Sequence, residues 1–216
     1  MMTEEEFEVL LDKAAKGEQA AWQSIDVLYR AKLKRMVRFR MDPRLNARVD
    51  PSDVVQEAMA EASSALPKYL EERKFPFFVW LRFVTGSCLT KLHRYHLDTQ
   101  RRDVKREVPS NPSSLPEASS VMIAMDLLAD SQDLKKDVEL NDRRQRIITA
   151  LDQLEPIERE VLVLRHFEHL SNIEAAATLG ITQGAASKRY FKALEKLREV
   201  WFDDFDSERY SDSDKS

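Results

Sequence analysis

SNIEAAATLGITQGAASKRYFKALEKLR, residues 171–198, is the stretch of sequence that decides the fold. Ser171 precedes Glu174 by three residues, which is the spacing of a capping box and predicts that a helix begins here. Gly180 suits the left-handed residue that ends a helix, and Thr182 suits the cap of the next helix. Two short helices joined by a tight turn with glycine predict a helix-turn-helix.

The second helix of this pair is basic on the side away from its apolar residues. Near the start of such a helix, polar side chains can enter the major groove and read base edges, while lysines farther along meet phosphates. We therefore predict DNA contacts by the residues on the outward side, which are Thr182, Gln183, Ala185, Lys188, Arg189 and Lys192. An ordinary helical hairpin with a solvated basic face is the alternative.

Composition and charge support an all-helical protein that contacts a polyanion in places. The 216 residues include only 4 Gly and 8 Pro, which argues against a turn-rich β architecture. The net charge is −4, but residues 199–216 carry seven acidic and two basic side chains, a net of −5, so residues 1–198 have a net charge of +1. Basic residues concentrate in the ranges 30–48, 91–106 and 188–198, as local contact with nucleic acid requires.

Hydrophobic periodicity predicts four helices in the first part of the chain, residues 1–100. They are expected at about 4–16, 19–41, from Asp50 to just before Pro67, and 76–97. Asp50 is a cap and Pro51 suits the first helical position. Proline cannot donate to the backbone ladder, so Pro67 is predicted to end the third helix.

A change of composition then predicts a flexible linker at 101–141. Its first part is rich in proline and serine, and 121–140 is either a weak helix or a mobile segment. A second helical domain follows at 142–202, and 203–216 is predicted to be an acidic, disordered tail. The predicted fold is all-α, with two small helical domains joined by a flexible linker.

Three segments resemble the sigma-70 family. LEPIEREVLVLR at 154–165, followed by the helix-turn-helix, resembles sigma region 4, although response regulators share a similar run. DPSDVVQEA at 50–58 resembles the central helix of sigma region 2, and FPFFVWLR at 75–82 resembles the start of its DNA-melting helix. Region 2, a Pro/Ser linker and region 4, in that order, are similar to the extracytoplasmic-function (ECF) group.

The resemblance implies a function and a set of sites. It implies a factor that binds core RNA polymerase, recognises the −35 and −10 promoter elements with regions 4 and 2, and assists DNA melting. The implied partners are the polymerase β′ coiled coil and β flap, promoter DNA and an anti-sigma factor. The residues implied to bind polymerase are Asp53, Gln56, Glu57 and Glu61, an acidic and amide stripe suited to a basic partner. Those implied to contact the −10 element are Glu71, Arg73, Lys74, Arg82, Ser87, Thr90, Lys91 and Arg94.

Some residues depart from the family pattern or are expected to have no direct role. The family usually has a β-branched and a basic residue where Ala186 and Ser187 stand. Phe77 and Trp80 fall on an apolar stripe of their helix and are expected in the core. The single cysteine, Cys88, excludes an intramolecular disulfide and is expected to be buried. Neither an enzyme motif nor a cofactor or small-molecule site is predicted.

Two other interpretations of the sequence compete with a sigma factor. His-x-x-His pairs at 93–96 and 166–169 have zinc-ligand residue types, but they lie in different predicted domains, so no metal is expected. The alternative function is a helix-turn-helix regulator that binds duplex DNA by itself, without polymerase. Without a membrane-spanning apolar run or a signal peptide, the chain is expected to be cytoplasmic and to have no membrane partner.

Overall fold

Within its described residues, the N-terminal part of the chain has four α-helices and a short 3-10 helix, Pro43–Leu45. The computed structural model describes residues 2–45, 48–98, 116–129 and 137–211, and the chain separates into an N-terminal unit, Met1–Glu117, and a C-terminal unit, Ala118–Ser216. The helices of the N-terminal unit are α1 (Glu4–Ala15), α2 (Gln19–Arg40), α3 (Pro51–Glu72) and α4 (Phe77–Asp98). The predicted all-α fold is confirmed.

Side-chain caps explain where two of these helices begin. Thr3 and Glu6 form a reciprocal capping box at the start of α1, in which the Thr3 hydroxyl accepts from the Glu6 amide at 3.2 Å. Asp50 caps α3 by accepting from the Ser52 amide at 2.7 Å, and Pro51 occupies the first turn. The predicted start of α3 is therefore confirmed.

Apolar side chains from α2, α3 and α4 form the core of this unit. Ala58 and Ala62 of α3 are fully buried, and their small size allows close helix packing. Burying each large apolar side chain contributes roughly 1.5–3 kcal/mol, before the entropy cost of ordering it. The largest of these fully buried side chains are Ile25, Leu33, Met36, Phe39, Leu66, Leu81 and Leu89.

The predicted end of α3 before Pro67 is wrong, because the helix continues to Glu72 with Pro67 inside it. An interior proline costs about 3 kcal/mol in an isolated helix. Here the residues around it are held by packing: Leu66 is fully buried, and the Tyr69 ring stacks on Trp80 with 4.5 Å between centroids. The helix ends instead at Arg73, whose φ of 39° is left-handed.

The C-terminal unit contains five α-helices and one π-helical segment within its described residues. They are α5 (Ser120–Ala129), α6 (Asp137–Asp152), α7 (Pro156–Leu162), the π-helical segment Val163–Phe167, α8 (Asn172–Leu179) and α9 (Gln183–Ser211). In the π-helical segment the Glu168 amide bonds to the Val163 carbonyl at 2.9 Å, five residues back. His169, with φ 57°, then turns the chain towards α8.

Helix α5 lies inside the predicted linker, where the sequence left a weak helix and a mobile segment open. The structure has a helix that belongs to the C-terminal unit. The Arg159 guanidinium of α7 donates to the Ala118 carbonyl and, at 2.8 Å, to the Ser120 hydroxyl, which donates to Asp152 at 2.6 Å. Fully buried Ile123 and Ala124 complete the attachment. Residues 101–115 and 130–136 of the predicted linker lie outside the described residues, and its last residues, 137–141, belong to α6.

The expectation of a disordered tail from residue 203 is wrong for 203–211, because α9 continues to Ser211. After Gly184 the sequence contains neither glycine nor proline. An established helix then adds one backbone hydrogen bond for each further residue fixed, even where the composition is acidic. Residues 212–216 lie outside the described part. Among the helices that the structure describes, none has the length and apolar character needed to cross a membrane.

Candidate nucleic-acid interface and partner surface

The turn between α8 and α9 has the predicted geometry. Ser171 and Glu174 form the capping box, with the Ser171 amide donating to the Glu174 carboxylate at 2.7 Å and the reverse bond at 3.2 Å. Gly180 ends α8 with φ 63°, a conformation that favours glycine. The Thr182 hydroxyl accepts from the Ala185 amide at 3.2 Å and caps α9. These contacts confirm the predicted helix-turn-helix.

A second set of contacts, not predicted from the sequence, fixes the start of α9. The Asn172 side chain accepts from the Arg165 guanidinium at 2.9 Å and donates to the Gln183 carbonyl at 3.0 Å. The same guanidinium lies over the Tyr190 ring, 5.1 Å from its centroid. Asn172 thus joins the π-helical segment to the first residue of α9. The only sign of this contact in the sequence was that an amide residue, Asn172, directly follows the N-cap residue Ser171.

The residues predicted to contact the −35 element share the outward side of α9. Thr182, Gln183, Lys188 and Lys192 are exposed, while Ala185 and Arg189 are half-buried. Arg189 donates to the Ala185 carbonyl of its own helix at 3.3 Å. Ala186 is fully buried, so the departure from the family pattern at this position concerns packing. The DNA-binding role of this set stays a prediction.

Lys192 is already engaged by a buried carboxylate of α7. Its ammonium lies 2.5 Å from Glu158 Oε1, and the Lys196 ammonium lies 3.1 Å from the other oxygen, Oε2. The Glu158 side chain is only 4% exposed. Burial acts to raise the pKa of Glu158, but hydrogen bonds from Lys192 and Lys196 outweigh it and hold the pKa below its ordinary value. We call this contact, which was not predicted from the sequence, the Glu158 clamp.

The predicted polymerase-binding residues are all exposed on α3. Asp53, Gln56, Glu57 and Glu61 lie at helical spacing on the side away from the core. Glu61 differs from the others, because Lys91 of α4 lies 2.9 Å from its carboxylate and Cys88 Sγ lies 3.4 Å from it. The hydrogen bond from Lys91 lowers the pKa of Glu61. Glu61, predicted to bind polymerase, and Lys91, predicted to contact DNA, therefore form an ion pair with each other. Cys88 is buried, as predicted.

The position of Arg82 contradicts its prediction as a −10 contact. It was expected to contact the DNA strand, but it is only 1% exposed and is among the largest fully buried side chains. Arg82 follows Leu81 on the inward side of α4, and Thr85, one turn later, is also buried. Arginine was assigned to the surface by its charge, whereas the helical register of α4 places it inside. Arg82 is therefore removed from the candidate DNA contacts.

The other candidate −10 residues lie at or near the surface. Glu71 and Arg94 are exposed, and Ser87 and Thr90 are half-buried. In the loop after α3, Arg73 pairs with Glu8 of α1 at 2.7 Å and Lys74 pairs with Glu72 at 3.0 Å. These ion pairs hold the loop against α1 and the end of α3. That the loop residues contact DNA stays a prediction.

Aromatic side chains support the loop from below. Phe77 is buried in the core, as expected. Trp80 is only half-buried and stacks on Tyr69. The Tyr69 hydroxyl donates to the Phe75 carbonyl at 3.0 Å, so the same ring that stacks on Trp80 also fixes the loop. Tyr69 was not singled out from the sequence, because the predicted helix ended before it.

The histidines give no arrangement of metal ligands within the described residues. No group of three or more His, Cys, Asp or Glu side chains there is placed to hold an ion. His93 instead accepts from the Asp42 amide at 3.2 Å. Its pKa is lowered, mainly by burial.

Comparison with known proteins finds similarity to sigma factors. The sequence profile described as "Sigma-70, region 4" matches residues 150–199. The chain is 28% identical over 198 residues to the ECF RNA polymerase sigma factor SigD of Mycobacterium tuberculosis, covering 92% of this chain and 85% of that protein. It is 26% identical over 190 residues to the ECF RNA polymerase sigma-E factor of Escherichia coli, covering 88% and 91%. The chain is thus similar along most of its length to ECF sigma factors, and over residues 150–199 to region 4 of the sigma-70 family.

A solved structure has a similar fold. It is the structure of CnrH in complex with the cytosolic domain of CnrY, with a TM-score of 0.53, 23% identity, and coverage of 91% of this chain and 97% of that chain. At this identity the likeness supports the all-helical fold.

The region 4 match covers the part of the chain that contains the candidate −35 residues. It also contains Asn172 and the Glu158 clamp. The relatives that align along most of the chain are named sigma factors, which favours this interpretation over the independent helix-turn-helix regulator.

Proposed function

We propose that the protein is a sigma factor that binds core RNA polymerase and directs promoter-specific transcription initiation. The observation that carries the proposal is the helix-turn-helix at 171–198, whose capped, outward-facing helix lies inside a sigma region 4 match. In this role the chain supplies binding surfaces and no bond chemistry of its own. Its relatives along most of the chain carry the same functional name.

We assign −35 recognition to the start of α9. Thr182, Gln183 and Lys188 are exposed at the first turns of a helix whose entry is fixed by Asn172. Polar side chains in this position of a helix-turn-helix reach base edges in the major groove. The exposed ammonium of Lys188 is placed to meet a phosphate and to add affinity that depends on salt.

We assign polymerase binding to the exposed stripe of α3, formed by Asp53, Gln56 and Glu57. The three side chains present carboxylates and an amide at helical spacing, which suits a basic helical partner such as the β′ coiled coil. The C-terminal unit is assigned to the β flap by resemblance to the family. The fourth predicted residue, Glu61, is less available because it pairs with Lys91.

We assign −10 recognition and melting to the loop after α3 and to the outward side of α4. Glu71, Arg73 and Lys74 surround the loop, and Ser87, Thr90, Lys91 and Arg94 follow the helix. Unpaired bases need replacement contacts and a basic groove when no nucleotide hydrolysis drives opening. Arg82, being buried, has no part in this surface.

A protein partner that holds the factor inactive is a further part of the proposal. CnrH, which shares the fold, has been solved in complex with the cytosolic domain of CnrY. By analogy we propose that a partner of the anti-sigma kind binds this chain.

Reconstituted transcription tests the proposal. Core polymerase with this protein is expected to initiate at specific sites in a genomic promoter library, and the variant Asp53→Asn/Gln56→Ala/Glu57→Gln is expected to lose about tenfold or more of that output. Glu4→Gln/Glu5→Gln, which removes the same two charges from exposed residues of α1, is the matched control. If core with this protein initiates nowhere while the protein alone footprints duplex sites, the independent regulator is correct.

A further inference from the structure

The Glu158 clamp lies where the recognition helix is expected to meet the DNA backbone. Lys188 and Lys192 are one turn apart on α9, and both are exposed. The first is a candidate base or phosphate contact, while the second gives its ammonium to Glu158 at 2.5 Å. Two lysines that look alike in the sequence therefore differ in how much of their charge is available to a phosphate.

Burial makes this difference persistent. Glu158 is 4% exposed, and each of its oxygens takes one lysine of α9, Lys192 on Oε1 and Lys196 on Oε2. A buried carboxylate without a partner is costly, so the pair resists exchange with water or salt far more than a surface pair does. A phosphate that recruits Lys192 must first separate it from Glu158.

We propose that Glu158 is a specificity-determining residue, because it withholds Lys192 from sequence-independent phosphate binding. Phosphate contacts supply almost all of the affinity for non-specific DNA, whereas base contacts distinguish the promoter. A clamp that neutralises a lysine on the DNA-facing side therefore lowers non-specific affinity and leaves base reading by Thr182 and Gln183 in place. The inference rests on the proposed role of α9 in DNA binding.

The test measures binding of the full chain to a duplex of random sequence by fluorescence anisotropy, from 50 to 200 mM NaCl. Glu158→Gln keeps the size of the side chain but removes its charge. Of the two lysines that this change frees, Lys192 is the candidate DNA contact. Its one new phosphate contact is expected to tighten binding about tenfold at 50 mM salt and to steepen the slope of log affinity against log salt by about 0.9. Adding Lys192→Gln to this variant is expected to return both values towards those of the native chain.

Glu155→Gln is the matched control. Glu155 is exposed at the start of α7 and acts on Lys192 through charge rather than through a hydrogen bond. The same charge is removed close to the same lysine, but no lysine is released, so the salt slope is expected to stay at its native value. An equal steepening in both variants would mean that net charge alone is responsible, and the proposal would be wrong.

A second comparison does not depend on the folding of Glu158→Gln. In the native background, Lys188→Gln is expected to weaken non-specific binding more than Lys192→Gln does, because Lys192 is already paired. Equal losses would overturn the clamp. Failure of the clamp is distinguishable from failure of the sigma assignment, since promoter-specific initiation with core polymerase is measured separately and does not require the clamp.

Discussion

The helices α4 and α9 both carry basic residues predicted to meet DNA, but the carboxylates that pair with those residues differ in burial. Lys91 of α4 pairs with Glu61, whose side chain is 43% exposed. Lys192 of α9 pairs with Glu158, which is almost fully buried. An exposed pair is screened by salt and exchanges readily with water, whereas a buried carboxylate retains its partner. The number of basic residues on a helix is thus a poor measure of the charge it offers to DNA.

Two arginines of α4 also differ in burial, although they lie on the same helix. Arg82 and Arg94 are both basic residues of the segment predicted to contact the −10 element. The first is buried in the N-terminal unit and the second is exposed near the C-terminal end of the helix. Their roles should therefore separate into stability and DNA binding.

The largest expected effect is that of Arg82→Ala. The buried guanidinium of Arg82 has interaction partners. Removing it leaves a cavity and polar groups without their partner. The unfolding free energy of the N-terminal unit should therefore fall by about 3 kcal/mol. Arg94→Ala should change it by less than about 0.5 kcal/mol and reduce promoter opening instead. Urea denaturation and permanganate footprinting measure the two effects. Similar unfolding curves for both variants would contradict the burial of Arg82.

A smaller effect is expected for the two ion pairs. A double-mutant cycle on Glu61 and Lys91 should give a coupling of about 0.5 kcal/mol at low salt, which largely disappears at 1 M NaCl. The coupling between Glu158 and Lys192 should be larger and should persist in high salt. Thermal unfolding of the single and double variants provides both cycles. Equal couplings with equal salt dependence would remove the distinction drawn between the two helices.

The smallest effect is the dependence on acid. The pKa of Glu158 is held below its ordinary value of 4.5, so the pair stabilises the fold fully above that value and loses its contribution as the pH falls through the lower, folded-state pKa. The difference in melting temperature between the native chain and Glu158→Gln should be constant from about pH 7 to pH 5 and then shrink.

Asp42 provides the reference for that experiment. The Arg44 guanidinium lowers the pKa of Asp42 to about 2. Its contribution should therefore begin to decline below the ordinary value of 3.8 and be lost only near pH 2. A melting difference for Asp42→Asn that increases as the pH falls would contradict this sign.

Local signals in the sequence were sufficient for much of the fold. Asp50 with Pro51, Ser171 with Glu174, and Gly180 act within one turn of the chain, and all three positions have the predicted geometry. The outward residues of α9 followed from helical periodicity in the same way. Features set by neighbours close in sequence were thus predictable.

Features that depend on distant residues were not predictable. Pro67 lies inside a helix because Tyr69 packs on Trp80, and Arg82 is buried because of the register of α4 in the core. Glu158 gains its importance from lysines more than thirty residues later. Helix α5 exists because its buried residues and Arg159 attach it to the C-terminal unit. Each depends on packing that a single sequence does not reveal.

The π-helical segment Val163–Phe167 makes the spacing between α7 and the helix-turn-helix sensitive to chain length. Its wide turn contains one residue more than an α-helical turn and precedes the reversal at His169. Deleting or inserting one residue here would change the path of the chain between α7 and α8. The contact between the Arg165 guanidinium and Asn172 depends on that path. Insertions and deletions should therefore be tolerated far less in this segment than substitutions that preserve its length.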